Sequence, residues 1–145
     1  MPRIFVSSVV DGTCDQVWKR IRDFNAMPAW HPRIRDSRIE DGLPSDKVGC
    51  IRSFHLQNGD AIREVLLGMS DYDCFYTYSI IESPMPVTDY VATLRVTPVT
   101  DGERSFLEWS AEFECPPSDE DGLVNTIAND VFQGGFDALK RHFGG

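Results

Sequence analysis

Apolar and polar residues alternate with a period of two along most of this chain and switch to helical spacing at two places. The run Arg3–Val10 alternates and ends at Asp11-Gly12, a turn dipeptide. Thr13 then opens a helical stretch, with Gln16 three residues on as the other half of a capping box. Val17, Trp18, Ile21 and Phe24 fall on one helical face. The helix is expected to stop near Asn25, because Pro28 biases its predecessor away from helical backbone. Residues 27–32, bracketed by prolines, predict a single short helical turn. Six further strands follow, at 34–40, 48–56, 61–69, 74–82, 89–98 and 104–115. Short turns separate them, among them Gln57-Asn58-Gly59-Asp60 and Asp101-Gly102, which predicts an antiparallel meander, since parallel strands need long crossovers.

The second helical region begins after Pro116-Pro117. Ser118, Asp119, Glu120 and Asp121 place a cap and negative charge at its start, while Lys140, Arg141 and His142 place positive charge at its end, as the helix dipole favours. Leu123, Ile127, Val131, Ala138 and Leu139 keep helical spacing through it, with Gly134-Gly135 mid-way. Two adjacent glycines in a helix interior predict either a hinge or a notch for close packing. The expected fold class is α+β: a curved seven-stranded antiparallel sheet around one long C-terminal helix, with two short helices after the first strand. A cavity for a small organic molecule is expected between sheet and helix. No repeat, low-complexity segment or linker interrupts the chain, so residues 1–145 are expected to form a single domain.

Alternation also points to the residues that could carry chemistry. Arg52 shares a face with Cys50, Phe54 and Leu56, and Glu64 shares one with Ile62 and Leu66. If Phe54 and Leu66 point inward, Arg52 and Glu64 go with them, and an inward charge needs a partner or a wet cavity. The two strands flank the Asn58-Gly59 turn, so the charges can meet. The alternatives are a self-neutralising buried pair, or a register that turns both residues to solvent. Tyr76 and Tyr78 share a face, as do Tyr90, Ala92 and Leu94, and buried tyrosines suit either a pocket wall or packing. Trp109 and Phe113 lie on the apolar face of the last strand. The expected cavity lining is therefore Phe54, Leu66, Trp109 and Phe113, with Arg52, Glu64, Tyr78 and Tyr90 as its polar groups.

Charge and cysteine usage narrow the partners. A net charge of −9 argues against nucleic acid and anionic membrane surfaces. No apolar run is long enough for a membrane helix, and the N-terminus lacks a secretory pattern. Cys14, Cys50, Cys74 and Cys115 are dispersed without a C-x-x-C pair, which reads as reduced thiols in a cytoplasm. His31, His55 and His142 show no metal-binding spacing, and no phosphate loop or nucleophile elbow appears, so neither metal nor cofactor is expected.

The order strand, two short helices, six strands, long helix resembles the helix-grip fold of the START-like, polyketide cyclase/dehydrase superfamily. Val17-Trp18-x-x-Ile21-x-Asp23-Phe24 with Trp30-x-Pro32 is similar to its first helical hairpin. Val48-Gly49-Cys50-Ile51-Arg52 is similar to its Gly-x-x-Arg strand, and Phe136-Asp137-Ala138-Leu139-Lys140 to the end of its last helix. The branch it most resembles holds the plant lachrymatory-factor synthases and abscisic-acid receptors. The resemblance implies that a pocket arginine and glutamate of the synthases correspond to Arg52 and Glu64, and pocket tyrosines to Tyr78 and Tyr90. Trp109 stands where the receptors carry an acidic pocket residue. The receptors' gate and latch loops are replaced here by Leu56-Gln57-Asn58-Gly59 and Ser83-Pro84-Met85-Pro86, so hormone reception is not implied. Two functions follow as expectations. In one, the chain binds a small hydrophobic molecule, with Arg52 and a tyrosine anchoring its polar end. In the other, it is a cofactor-independent cyclase, lyase or isomerase, with Glu64 moving a proton and Arg52 steadying a negative charge. A third and blander alternative is an interaction protein with a vestigial cavity.

Overall fold

A computed structural model describes all of residues 1–145. After β1 (Arg3–Val10), Thr13 caps α1 (Cys14–Ile21): its side chain accepts from the Gln16 N–H while the Gln16 side chain accepts from the Thr13 N–H. The single turn α2 (Met27–Trp30) begins with Pro28 in its first turn, where a missing N–H costs nothing. Six strands follow: β2 (Ile34–Ile39), β3 (Ile51–Leu56), β4 (Ala61–Ser70), β5 (Phe75–Glu82), β6 (Thr88–Val99) and β7 (Arg104–Glu114). They form one antiparallel sheet in the order β1-β7-β6-β5-β4-β3-β2. Successive strands from β2 to β7 are neighbours, and β1 returns to pair with β7.

The helix-grip arrangement expected from the sequence is the one observed, and its departures are local. β3 starts at Ile51 rather than Val48, because Gly49 adopts φ +96° and breaks the extended run. The Asn58-Gly59 turn has Gly59 at φ +95° and ties its own ends, the Leu56 N–H donating to the Asp60 carbonyl. All four cysteines are free. No helix is long and apolar enough to cross a membrane.

The C-terminal helix differs most from expectation. It runs as α3 (Glu120–Asn125), a π-helical stretch (Thr126–Gln133) and α4 (Gly134–Phe143), with helical backbone through both junctions. The wide turns change which residues face the sheet. Leu123 and Ile127 are buried four apart, but the next buried side chain is Phe132, five further on, followed by Gly135, Phe136 and Leu139. An unbroken α-helix would have placed Val131 at that point; instead Val131 is half-buried and the wholly buried Phe132 takes the position. Such π segments recur at functional sites. The concave face of the sheet and this helix enclose the core, in which Trp109 stacks on Phe132 with centroids 4.5 Å apart and meets Phe136 and Trp30, each at 5.9 Å.

Candidate functional site

Arg52 and Glu64 are direct cross-strand partners on β3 and β4, and both point to the concave side. Arg52 is wholly buried. Its Nε donates to Glu64 Oε1 at 2.8 Å, and its Nη2 lies 2.7 Å from the same oxygen in an ion-pair contact without hydrogen-bond alignment. Nη1 donates to the Phe24 carbonyl at 3.1 Å. The guanidinium also lies over the Phe24 ring at 4.0 Å and the Tyr78 ring at 4.8 Å, where cation–π attraction adds to the pair. Burial pushes the Glu64 carboxyl above its ordinary range; the charge of Arg52 pulls the other way without cancelling the effect. Arg52 itself is held more firmly protonated, its loss of solvent outweighed by Glu64 and the neighbouring tyrosines.

Beside this pair lies a cavity of about 70 Å³ between the sheet and the C-terminal helix. Its inner end is formed by the buried Glu64, Tyr78 and Tyr90. Phe54, Ile62 and Ile80 supply the sheet wall, while Thr126, Ile127 and Val131 of the π segment supply the helix wall. Met27 and His31 close one side. The rim carries Arg33, Asp60 and the loop Ser83-Pro84-Met85. Arg33 there faces Asp130 of the π segment at 3.4 Å. A wider hollow of about 420 Å³ lies elsewhere, on the convex face among Phe5, Val91, Thr93 and Ser110, with no buried titratable group beside it.

Phe54, Glu64, Tyr78 and Tyr90 thus line the cavity, whereas Arg52, Leu66, Trp109 and Phe113 do not. This corrects the expected lining, and packing is the reason. Trp30, Phe132 and Phe136 fill the space over Trp109, and Phe113 stacks on Tyr90 at 5.7 Å. Leu66 is completely buried opposite Tyr78 on the β4–β5 ladder. These residues back the wall instead of forming it. Trp109 does so with a hydrogen bond, its Nε1 donating to the Tyr78 hydroxyl at 3.1 Å. Burial, with the charges of Tyr90 and Glu64 adding to it, pushes the Tyr78 phenol well up. Tyr90 is raised by burial and the Glu64 charge, so both phenols stay protonated.

His31, which has no metal-binding spacing in the sequence, is built into the fold at two points. It is buried, with Nδ1 accepting the Arg33 N–H at 3.2 Å and Nε2 donating to the Val131 carbonyl at 2.7 Å. Those bonds fix the Nε2–H tautomer and tie the entry to β2 onto the π segment. Burial lowers its pKa to about 4, against the hydrogen bond to Val131 and with help from the charges of Arg33 and Arg52. Alternation places Ile62 on the face of Glu64 and Ile80 on that of Tyr78, so both belong to the lining by the same pattern that marks the polar groups. No pattern signalled Thr126 or Met85. No group of three or more His, Cys, Asp or Glu side chains is placed to hold a metal ion.

The family model described as polyketide cyclase/dehydrase and lipid transport matches residues 1–144. Among solved structures, the protein XoxI from Bacillus cereus is 32% identical, covering 99% of this chain and 96% of its own, with a TM-score of 0.87. A protein from Thermobifida fusca is 27% identical over 99% of this chain and 94% of its own, with a TM-score of 0.90. Norcoclaurine synthase from Thalictrum flavum, solved with dopamine and hydroxybenzaldehyde, is 18% identical over 97% of this chain and 85% of its own, with a TM-score of 0.74. That last likeness is one of fold. No curated protein matches the chain.

Proposed function

Because the chain belongs to the polyketide cyclase/dehydrase and lipid transport family, we propose that it takes a small, largely apolar organic molecule into the cavity between its sheet and its C-terminal helix. The observation that carries this reading is the inner end of the cavity. A carboxylate and two phenols sit there in an otherwise apolar wall, the usual composition of a small-molecule site. At about 70 Å³ the cavity holds only a few heavy atoms, about half the 150 Å³ that takes up benzene in an engineered apolar cavity. A larger ligand extends through the rim or displaces Met27 and Met85, whose unbranched side chains re-pack easily. Arg52 serves this site indirectly, by holding Glu64 in place. Native mass spectrometry of the protein purified from its own source tests the proposal. A co-purifying small molecule lost on Ile62→Trp, which fills the cavity, is the expected result; retention of that molecule in a folded variant would place its site elsewhere.

The enzymatic alternative draws on one observation, the raised pKa of a carboxyl at the cavity's inner end, which suits a group that takes and returns a proton. Under that reading Glu64 is the catalytic residue and Arg52 a positioning residue. The fate of the ligand separates the two: a carrier releases it unchanged, whereas an enzyme converts it and loses turnover with Glu64→Gln.

A further inference from the structure

The charge balance at the inner end of the cavity limits what can dock there, and the argument rests on the reading of that cavity as a ligand site. Arg52 is the nearest cation, yet it is sealed off from the cavity, although its Nη2 group finds no hydrogen-bond acceptor. Nε and Nη2 lie on Glu64 Oε1, Nη1 is on the Phe24 carbonyl, and the Phe24 and Tyr78 rings cover its faces. It has no exposed surface and does not line the cavity. Glu64 does line it. Both Arg52 contacts fall on Oε1, and no protein group donates to Oε2. The cavity therefore ends on a carboxylate oxygen with lone pairs to offer, whose charge is already balanced by an arginine the ligand cannot touch.

His31 offers nothing to a ligand, since both ring nitrogens are engaged and burial keeps the ring neutral. Tyr78 and Tyr90 remain protonated and polar. A carboxylate placed at this end would meet those phenols but no free cation, and would leave a net negative charge in an apolar enclosure. An ammonium would pair with Oε2 but leave a net positive charge, because Arg52 already neutralises Glu64. A neutral hydroxyl satisfies Oε2, accepts from a tyrosine and leaves the balance at zero. The remaining charges near the cavity, Arg33 with Asp130 and Asp60, lie at the rim, where solvent screens them.

We infer that the ligand carries a neutral hydroxyl at its buried end, as an alcohol, phenol or enol, which donates to Glu64 Oε2. Carboxylates and ammonium ions are excluded from that position.

The test uses three probes of matched length, 1-butanol, n-butylamine and butyrate, with xenon as a probe of space alone. Protein with labelled isoleucine and methionine methyls is titrated at pH 7, and the signals of Ile62, Ile80 and Met85 are followed. Butanol is expected to shift these methyls saturably, at a dissociation constant at least tenfold below those of the other two. Glu64→Gln leaves Arg52 unbalanced, so in that variant butyrate is expected to overtake butanol. Tyr90→Phe, which keeps the charge balance, is expected to weaken butanol while leaving the order unchanged. A wild-type preference for butyrate or butylamine overturns the inference, and that result stands even if a variant fails to fold. If xenon enters and butanol does not, the hydroxyl inference fails while the cavity remains a site. If neither enters, the reading of the cavity falls, and the inference with it.

Discussion

Arg52 and Glu64 face each other across one rung of the β3–β4 ladder, and each is the other's means of being buried. Removing one partner leaves an uncompensated charge, so Arg52→Met is expected to cost about 3–5 kcal/mol. Arg52→Met with Glu64→Leu removes both charges and should be more stable than Arg52→Met alone. Denaturant melts of the two singles and the double check this, and additive effects would show the pair to be uncoupled. His31 gives a pH dependence of known sign. Its pKa falls from 6.5 to about 4 on folding, so between those values the unfolded chain binds more protons. Stability is therefore lost as pH falls through that window, by about 3 kcal/mol from pH 7 to pH 4. Glu64 works oppositely: with its pKa raised above 4.5, it takes stability away as pH rises. His31→Gln, which keeps an N–H for the Val131 carbonyl, isolates the first effect. Its stability should fall less than that of the wild type over this range, and parallel curves would count against a buried neutral imidazole. Alternation along two strands was enough to pair Arg52 with Glu64. That Arg52 would be sealed from the cavity was not readable, because the Phe24 carbonyl and ring that seal it come from 28 positions earlier in the chain.

The C-terminal helix shows where periodicity stops being informative. Its caps, charges and ends are legible in Ser118 to His142, but nothing in the pattern marks the extra residue per turn between Thr126 and Gln133. A tertiary constraint fits that departure: the Val131 carbonyl is claimed by His31, and Phe132 reaches the Trp109 ring. The glycine pair inside the same helix left hinge and notch open, and the surroundings separate its two members. A methyl group on Gly135 would lie 3.0 Å from His31, 3.0 Å from Trp109 and 3.1 Å from Trp30, all of them ring atoms locked against one another. On Gly134 the nearest atom is the Asn129 carbonyl oxygen at 3.6 Å, an ordinary contact. Gly135→Ala is therefore expected to destabilise by about 1–3 kcal/mol through overpacking. Gly134→Ala should be neutral or stabilising by up to about 1 kcal/mol, because alanine is the better helix former. Thermal melts of the two single variants decide it, and equal effects would contradict a notch specific to Gly135.

At the scale of the whole molecule, the sheet is two assemblies with different loop costs. From β2 to β7 each strand pairs with its successor, and three of the five connections are visible in the sequence as the Asp41-Gly42, Asn58-Gly59 and Asp101-Gly102 steps. β1 pairs only with β7, joining Arg3 to Glu112 and Val10 to Ser105 across nearly the whole chain. No local pattern specifies that pairing: alternation marks Arg3–Val10 as a strand without saying which strand it joins. Closing so long a loop costs entropy before any contact repays it, so the β1–β7 pairing is expected to form after the meander. Ile4 and Ile62 test the order, since both are buried isoleucines on strands, one in β1 and one in the β3–β4 hairpin. Truncation to alanine should cost about 2–5 kcal/mol at either site, large enough for the ratio of kinetic to equilibrium effect to be read. Ile4→Ala is expected to speed unfolding and leave the folding rate nearly unchanged, whereas Ile62→Ala should slow folding. Stopped-flow folding and unfolding limbs for the two variants measure this directly. A folding rate that drops as far with Ile4→Ala as with Ile62→Ala would mean that β1 is already docked at the barrier, and that the cavity closes in the same step that forms the sheet.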